Sequence, residues 1–197
     1  MENPDIIKAI TPVVEALEKL SITYHIGGSI ASSLYGIARA TIDADIAADI
    51  KKEHILPLKS FLDTQYYFDE EMIGDAIQRK SSFNLIHLNT MIKIDIFIHK
   101  NEPYHYEALK RRRKDTIIAE GKTSDEYYFS SPEDVILNKL QWYEMGERVS
   151  ERQWLDVLGI IKVQGSSLDK EYLIHWADKL DLIEILKKAY ENSGIGQ

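Results

Sequence analysis

The chain has 197 residues, of which 44% are hydrophobic and 28% charged, as is usual for a globular protein of one domain or one domain with an appendage. It contains no cysteine, which excludes disulfides, thiolate metal sites and cysteine nucleophiles, and no apolar run is long enough to span a membrane. The formal net charge of −8 disfavours a protein that coats nucleic acid, because such binding depends on neutralising phosphates. Since its first residues also lack a signal-peptide pattern, we expect a cytoplasmic protein.

The first part of the sequence, residues 1–129, predicts a mixed α/β domain. A helix is expected to begin at Asn3-Pro4, because asparagine caps helices and proline favours the first helical position. A short strand near residues 24–26 precedes a Gly-Gly-Ser turn and a short helix. Residues 41–47 alternate polar with apolar side chains, as a half-buried strand does. The other predicted elements are helices near 53–62, 70–79 and 104–112, and strands near 83–88, 91–99, 116–118 and 127–129, with a hairpin turn at Asn89-Thr90.

The second part, residues 130–197, shows only helical patterns. Ser131-Pro132 predicts a helix start, since serine caps the helix and proline fits its first turn. Three further amphipathic segments follow in chain order. The expected fold is α+β, with a small mixed or antiparallel sheet flanked by helices and followed by a C-terminal helical segment.

Carboxylates occur on two of the predicted strands with the same alternation. Asp43 and Asp45 are two residues apart, so their side chains leave the same face at roughly 6–7 Å from one another. Lys93 and Asp95 alternate with isoleucines in the same way. If the two strands are neighbours, three carboxylates share one face and need a cation, and their hard oxygens suit Mg²⁺ or Mn²⁺. Alternatively, they line the solvent-facing side of a one-sided sheet.

The Gly27-Gly28-Ser29 turn joins a strand to a helix. Glycines allow a ligand to approach the backbone, and the N–H groups at a helix start bind phosphate. Taken alone, a tight turn without a ligand is the better interpretation. Next to a metal-binding face, however, a phosphate cradle indicates phosphoryl or nucleotidyl transfer.

These motifs together resemble the polymerase-beta-like nucleotidyltransferase superfamily: His25-Ile26-Gly27-Gly28-Ser29, then Arg39-Ala40-Thr41-Ile42-Asp43-Ala44-Asp45-Ile46, then Lys93-Ile94-Asp95. Within it the chain most resembles the AbiEii-type toxins of toxin–antitoxin and phage-defence systems. Those share the Lys-x-Asp motif and a helical part that opens with Ser-Pro-Glu-Asp, matched here by residues 131–134, with a lysine matched by Lys139. A later motif that ends in aspartate is matched only in part by residues 152–156.

The resemblance implies a nucleotidyltransferase core over residues 1–129 and a helical bundle over 130–197 that closes the cleft. It implies transfer of a nucleoside monophosphate from an NTP to a hydroxyl of a tRNA or a protein, and a possible cognate partner protein. Asp43 and Asp45 would bind two metal ions, and Asp95 would complete the second and act as base. The residues implied in binding nucleotide are Gly27, Gly28, Ser29, Arg39, Lys93 and Lys139.

Several alternatives stay open. Lys93 could pair with a carboxylate as readily as with a phosphate. Without the resemblance, Lys139 is better interpreted as a solvent-exposed lysine on a helix. Arg152 and Asp156 are four apart, so a surface ion pair is the leading interpretation. The basic run 110–114 fits either a nucleic-acid contact or a solvated turn.

Two other functional classes compete with an active nucleotidyltransferase. One is a catalytically silent protein of this fold that acts as a binding or antitoxin-like partner, which the intact set of three carboxylates disfavours. The other is an Asp-x-Asp glycosyltransferase, in which the glycine turn and Lys93 would have no role.

Overall fold

The computed structural model describes residues 5–119 and 122–194, so the helix start predicted at Asn3-Pro4 lies outside the described residues. By contacts, the chain divides into two compact units, one of Met1–Ile30 with Ala40–Phe129 and one of Ala31–Arg39 with Ser130–Gln197. Across the described ranges, no helix is both long enough and apolar enough to cross a membrane.

The first unit is built on a seven-stranded sheet in the order β3-β4-β5-β2-β1-β9-β6. Strand β2 is parallel to β5 and β1 is parallel to β9, whereas the other neighbours are antiparallel, which confirms the predicted mixed sheet. A separate hairpin pairs β7 with β8. The strands are β1 (Tyr24–Ile26), β2 (Asp43–Ala48), β3 (Tyr66–Tyr67), β4 (Ser82–His87), β5 (Lys93–Ile98), β6 (Arg113–Asp115), β7 (Ile118–Ala119), β8 (Lys122–Thr123) and β9 (Tyr127–Phe129).

One face of this sheet forms the core of the first unit. Every second residue of β2 and β5 is buried, including Ile46, Ile94 and Ile96. Helix α1 buries Ile10 and Leu17 from the same side of its axis, as the 3.6-residue period predicts. The other side chains of β2 and β5 therefore emerge on the opposite face. The helices that lie wholly in this unit are α1 (Asp5–Lys19), α3 (Ile55–Leu62), α4 (Glu70–Arg79) and α5 (Pro103–Lys110), whereas α2 (Gly28–Tyr35) begins in it and continues in the second unit.

The prediction of a strand at residues 116–118 is wrong. The chain instead forms β6 at Arg113–Asp115, which pairs with β9, and then β7 from Ile118. Strand β6 is an edge strand with all three side chains exposed, so it carries no apolar alternation that would reveal it in the sequence. The basic run therefore lies at the end of α5 and along this edge.

The second unit contains the four helices expected from the helical patterns: α6 (Pro132–Met145), α7 (Glu151–Gln164), α8 (Lys170–Lys179) and α9 (Ile183–Ser193). The predicted helix start at Ser131 is confirmed, because its hydroxyl accepts a hydrogen bond from the Asp134 amide at 3.2 Å. Buried aliphatic side chains of α6, α7, α8 and α9 supply its core.

Candidate active site

The carboxylates predicted to share a face do so in the first unit. Strands β2 and β5 are parallel neighbours in a register that sets Asp43 opposite Lys93 and Asp45 opposite Asp95. The three aspartates are half-buried, whereas the isoleucines and alanines between them are fully buried. Because neighbouring strands are about 4.8 Å apart, Asp45 and Asp95 form a like-charged pair, which disfavours the sheet unless a cation compensates.

Lys93 supplies part of that compensation. Its Nζ lies 2.7 Å from Asp95 Oδ2. The hydrogen bond to Asp95, reinforced by the charges of Asp95, Asp43 and Asp45, raises the pKa of Lys93 although partial burial opposes this. One ammonium facing three carboxylates leaves the face negative.

Thr41, a residue to which the sequence analysis gives no role, orients the first aspartate. Its buried hydroxyl donates to Asp43 Oδ1 at 2.7 Å. The Thr-x-Asp spacing before a strand is the signal that would have found it, since a threonine hydroxyl reaches a side chain two residues on. Asn84 of β4 lies opposite Asp95 and adds an amide to the edge of the face.

The glycine turn lies directly beside Asp45. The Gly27 amide donates to the Asp45 carbonyl at 2.8 Å, and Gly28, with φ +54°, begins α2. A Cβ at Gly28 would lie 1.7 Å from Asp45 Oδ2, so only glycine allows this approach. Ser29 follows in the first turn of α2. The turn and the carboxylate face are therefore one continuous surface.

The donor set of this face fits an open divalent-cation site. Within the described part of the chain, no three or more histidine, aspartate or glutamate side chains are grouped so that they could hold a metal ion. Mg²⁺ is commonly held by one or two carboxylates together with substrate phosphates rather than by an all-protein cage. Asp43, Asp45 and Asp95, next to a turn that leaves room for a phosphate, match that arrangement.

A cleft of about 410 Å³ opens at the start of β2 and β5. It lies on the side of β2 that faces β5, whereas the glycine turn lies on the side that faces β1. The residues that line it are Asp5, Ile42, Asp43, Thr90, Met91, Ile92 and Lys93.

The second unit holds a different charged cluster, centred on Asp156. The Arg39 guanidinium binds it in a bidentate manner, with Nε and one terminal nitrogen each 3.0 Å from a carboxylate oxygen. Lys139 Nζ lies 2.7 Å from Asp156 Oδ2 and 3.1 Å from Gln153 Oε1, and Ser32 Oγ lies 3.3 Å from Asp156. Two cations therefore share one carboxylate.

This cluster corrects two interpretations of the sequence. Asp156 is not part of a surface ion pair with Arg152, because it is 9% exposed and pairs with Arg39 and Lys139. Lys139 is not a solvated lysine, since it is 5% exposed. Burial alone would raise the pKa of Asp156, but Arg39 and Lys139 outweigh it and hold that pKa below its usual value.

Two buried histidines lie at the end of the carboxylate-bearing face beyond Asp45, and the sequence alone indicates only a structural role for them. His25 pairs in register with Ala47, two residues beyond Asp45, and both His25 and His99 are buried. Burial, aided by nearby His99 and Arg112, lowers the pKa of His25 to about 4. His25 is therefore neutral at pH 7.

Comparison with known proteins gives matches in structure. No family model matches the chain, and no curated protein has a significantly similar sequence. An antigenic nucleotidyltransferase-like protein from Paracoccidioides brasiliensis superposes with a TM-score of 0.54 at 16% identity, over 96% of this chain and 94% of that one. The antibiotic-resistance factor ANT(2″)-Ia superposes with a TM-score of 0.56 at 14% identity, over 93% and 97%. Its complex with adenylyl-2″-tobramycin gives 0.57 at 12% identity, over 90% and 97%.

These similarities extend over nearly the whole of each chain, so they concern the complete fold rather than one motif. At such low identity they establish architecture and leave chemistry to the residues of the site. The chain has the fold of the nucleotidyltransferases.

Proposed function

We propose that this protein is a metal-dependent nucleotidyltransferase that moves a nucleoside monophosphate from an NTP to an acceptor hydroxyl. The observation that carries the proposal is the register of β2 and β5, which sets Asp45 opposite Asp95 with Asp43 on the same face. The glycine turn beside Asp45 supplies the phosphate cradle that the chemistry requires.

The reaction is an in-line substitution at the α-phosphorus. The acceptor oxygen forms a new P–O bond, the bond to the pyrophosphate oxygen breaks, and pyrophosphate leaves with that electron pair. The hydroxyl proton passes to Asp95, which orients the attacking oxygen. The backbone N–H of Gly28 and the Ser29 hydroxyl hold the β- and γ-phosphates, whereas the Gly27 amide, also expected to bind phosphate, is bonded to the Asp45 carbonyl.

Asp43, Asp45 and Asp95 would hold Mg²⁺ or Mn²⁺. When bound, such ions neutralise the phosphate oxygens and increase the acidity of the attacking hydroxyl. Thr41 keeps Asp43 in one orientation. The like-charged arrangement of Asp45 and Asp95 is thereby compensated in the substrate complex.

The basic residues have distinct places in the proposal. Lys93 stays on Asp95 until a phosphate competes for it. Arg39 and Lys139 are proposed nucleotide ligands on the resemblance, supported by the excess of positive charge in their cluster.

The identity of the acceptor and the biological setting belong to the same proposal. The resemblance predicts a tRNA or protein acceptor, a cognate partner protein and a toxin–antitoxin or phage-defence role. The lack of cysteine and of a signal-peptide pattern predicts a cytoplasmic location. The adenylyl-tobramycin bound to one protein of similar fold supports a small-molecule hydroxyl as the alternative acceptor. A silent binding protein would not need the three carboxylates and the cradle together.

The test supplies Mg²⁺, each α-labelled NTP in turn, and separate pools of tRNA, protein and small hydroxyl compounds. Label is expected on one pool, with stoichiometric release of pyrophosphate. The Asp43→Asn and Asp95→Asn variants should lose at least about a hundredfold in rate, since even indirect partners of a metal contribute 10–100-fold. Asp75→Asn, on the exposed side of α4, is the matched control and should keep the wild-type rate. A folded protein that binds no NTP, or transfer that survives in both variants, would refute the proposal.

A further inference from the structure

The cleft and the glycine turn lie toward different neighbours of β2, the cleft toward β5 and the turn toward β1. The Gly27 amide bonds to Asp45 from the β1 side of β2. The cleft is lined by Asp43 and Lys93, on the β5 side of the same strand and nearer its beginning. Asp45 therefore lies next to the glycine turn, and Asp43 lies at the edge of the cleft.

This order matters because in-line substitution places the attacking and leaving oxygens on opposite sides of the phosphorus. If the pyrophosphate is held at Gly28, the hydroxyl must arrive from the side of the cleft. We propose that the cleft is the acceptor subsite and takes a small hydroxyl-bearing molecule whose apolar portion packs against Ile42 and Met91. This inference depends on the proposed nucleotidyl transfer.

Two exposed aliphatic side chains line the cleft beside its polar residues. Ile42 is 78% exposed and Met91 is 71% exposed, and both line the same opening. A single exposed aliphatic side chain needs no explanation, but two that flank a polar reaction centre indicate a binding surface. Contact with an apolar ligand would remove both from water.

Met91 is also held in place by its backbone. It has φ +58°, a left-handed conformation that is unfavourable for a non-glycine residue. The turn that holds it is fixed by the Met91 amide on the His87 carbonyl at 2.8 Å and by Thr90 Oγ1 and His87 Nδ1 at 2.7 Å. Strain retained in a rigid turn beside a reaction centre is characteristic of functional positions.

The size and charge of the cleft favour a small molecule over a polyanion. Its volume of about 410 Å³ lies within the range of small-molecule sites, roughly 300–1,000 Å³. Of the described residues that line it, Lys93 is the sole cation, and its ammonium is bound to Asp95, while Asp43 adds negative charge and Asp5 is paired with Lys8. A phosphodiester chain needs several available cations.

The first test measures binding without catalysis. Protein with ¹³C-labelled isoleucine and methionine methyl groups is titrated with cyclohexanol and 2-phenylethanol, and with glycerol as the polar probe. The apolar alcohols should shift the Ile42 and Met91 methyl resonances saturably, and glycerol should not. Met72 and Ile118, also more than half exposed but outside the cleft, are internal controls. Equal shifts at all four positions, or none, would overturn the assignment.

The second test measures transfer of labelled NMP to the same alcohols and to tRNA. The double variant Ile42→Thr/Met91→Gln should lower kcat/KM for the apolar alcohols about tenfold and leave KM for the NTP unchanged. The matched variant Met72→Gln/Ile118→Thr should behave as wild type. Label on tRNA at a rate that the cleft variant does not alter would overturn this inference and leave nucleotidyl transfer standing. Absence of NTP binding in the wild-type protein would refute both.

Discussion

The charged clusters of the two units differ in composition and in burial. The carboxylate-bearing face of β2 and β5, here called the open face, carries Asp43, Asp45, Asp95 and Lys93, and its Lys93–Asp95 pair is partly exposed. The cluster of the second unit has one carboxylate and two cations, and Asp156 and Lys139 are almost fully buried there. Among the ion pairs described above, one lysine serves a face with three carboxylates, whereas two cations share one carboxylate in the buried cluster.

The difference separates a site that awaits a ligand from one that stabilises its own unit. The buried cluster has internal partners for Asp156 on both oxygens, so its removal should affect folding. On the open face the described ion pair is that of Lys93 with Asp95, which is partly exposed, so these carboxylates should matter for ligand binding more than for folding. Each of the following predictions tests one side of this contrast.

Asp156→Ala should give the largest effect on stability, because it leaves Arg39 and Lys139 charged without their common partner. Removing one member of a buried ion pair costs about 3–5 kcal/mol of unfolding free energy. Because Arg39 is partly exposed, we expect a loss of about 3 kcal/mol. Urea unfolding measures it. Asp178→Ala, on the exposed side of α8, is the control. A loss below about 0.5 kcal/mol in Asp156→Ala would mean that the cluster does not stabilise the unit.

The buried His25 should make the stability of the first unit depend on pH. His25 has a pKa of about 4 when folded, against 6.5 as the ordinary value, so the unfolded chain binds more protons between these values. Stability from this group is complete above about pH 6.5 and is lost as the pH falls to about 4, by at most about 3 kcal/mol. His25→Gln should flatten the curve of unfolding free energy in that window. An unchanged pH dependence would show that His25 is not held neutral by burial.

Gly28→Ala tests the contact between cradle and carboxylate. The new methyl group would displace the Asp45 carboxylate, and the left-handed backbone would add roughly 1–2 kcal/mol of strain. Transfer should fall at least about tenfold. Gly74→Ala is the matched control, since a Cβ there meets nothing within 4 Å and should stabilise α4 by about 0.5–1 kcal/mol. Full activity in Gly28→Ala would place the phosphates elsewhere.

Lys93→Gln should have the smallest effect on stability. Partly exposed ion pairs contribute about 0–1 kcal/mol, and loss of this one also leaves three neighbouring carboxylates less compensated. We expect a destabilisation within about 1 kcal/mol in urea unfolding, reduced further by added Mg²⁺. A loss of several kcal/mol would show that the open face is structural, like the buried cluster.

Much of the first unit could be predicted because its strands alternate strictly. The period of two in residues 43–48 and 93–98 identified both the buried face and the carboxylate face. The hairpin at Asn89-Thr90 and the helix start at Ser131 were also predictable from local turn and cap chemistry. Parallel pairing of β2 with β5 was not, because strand order depends on contacts distant in sequence.

The missed features share a physical cause. Strand β6 has no apolar alternation because it lies at an edge, and Lys139 gives no local sign that its partner Asp156 is 17 residues away in sequence on another helix. Arg39 and Asp156 are likewise brought together only by the packing of Ala31–Arg39 within the second unit. Local sequence patterns predict which face of a strand is buried and where a helix begins. Ion pairs between residues distant in sequence can be identified only from the folded structure.

The central claim is that the carboxylate face binds a divalent cation together with an NTP. The most direct test is titration with Mn²⁺, followed by electron paramagnetic resonance, in the presence of a non-hydrolysable NTP. Wild-type protein should take up Mn²⁺ beyond what the nucleotide alone binds, and Asp45→Asn should weaken that uptake at least about tenfold. Equal Mn²⁺ uptake by the wild-type and Asp45→Asn proteins would contradict the account.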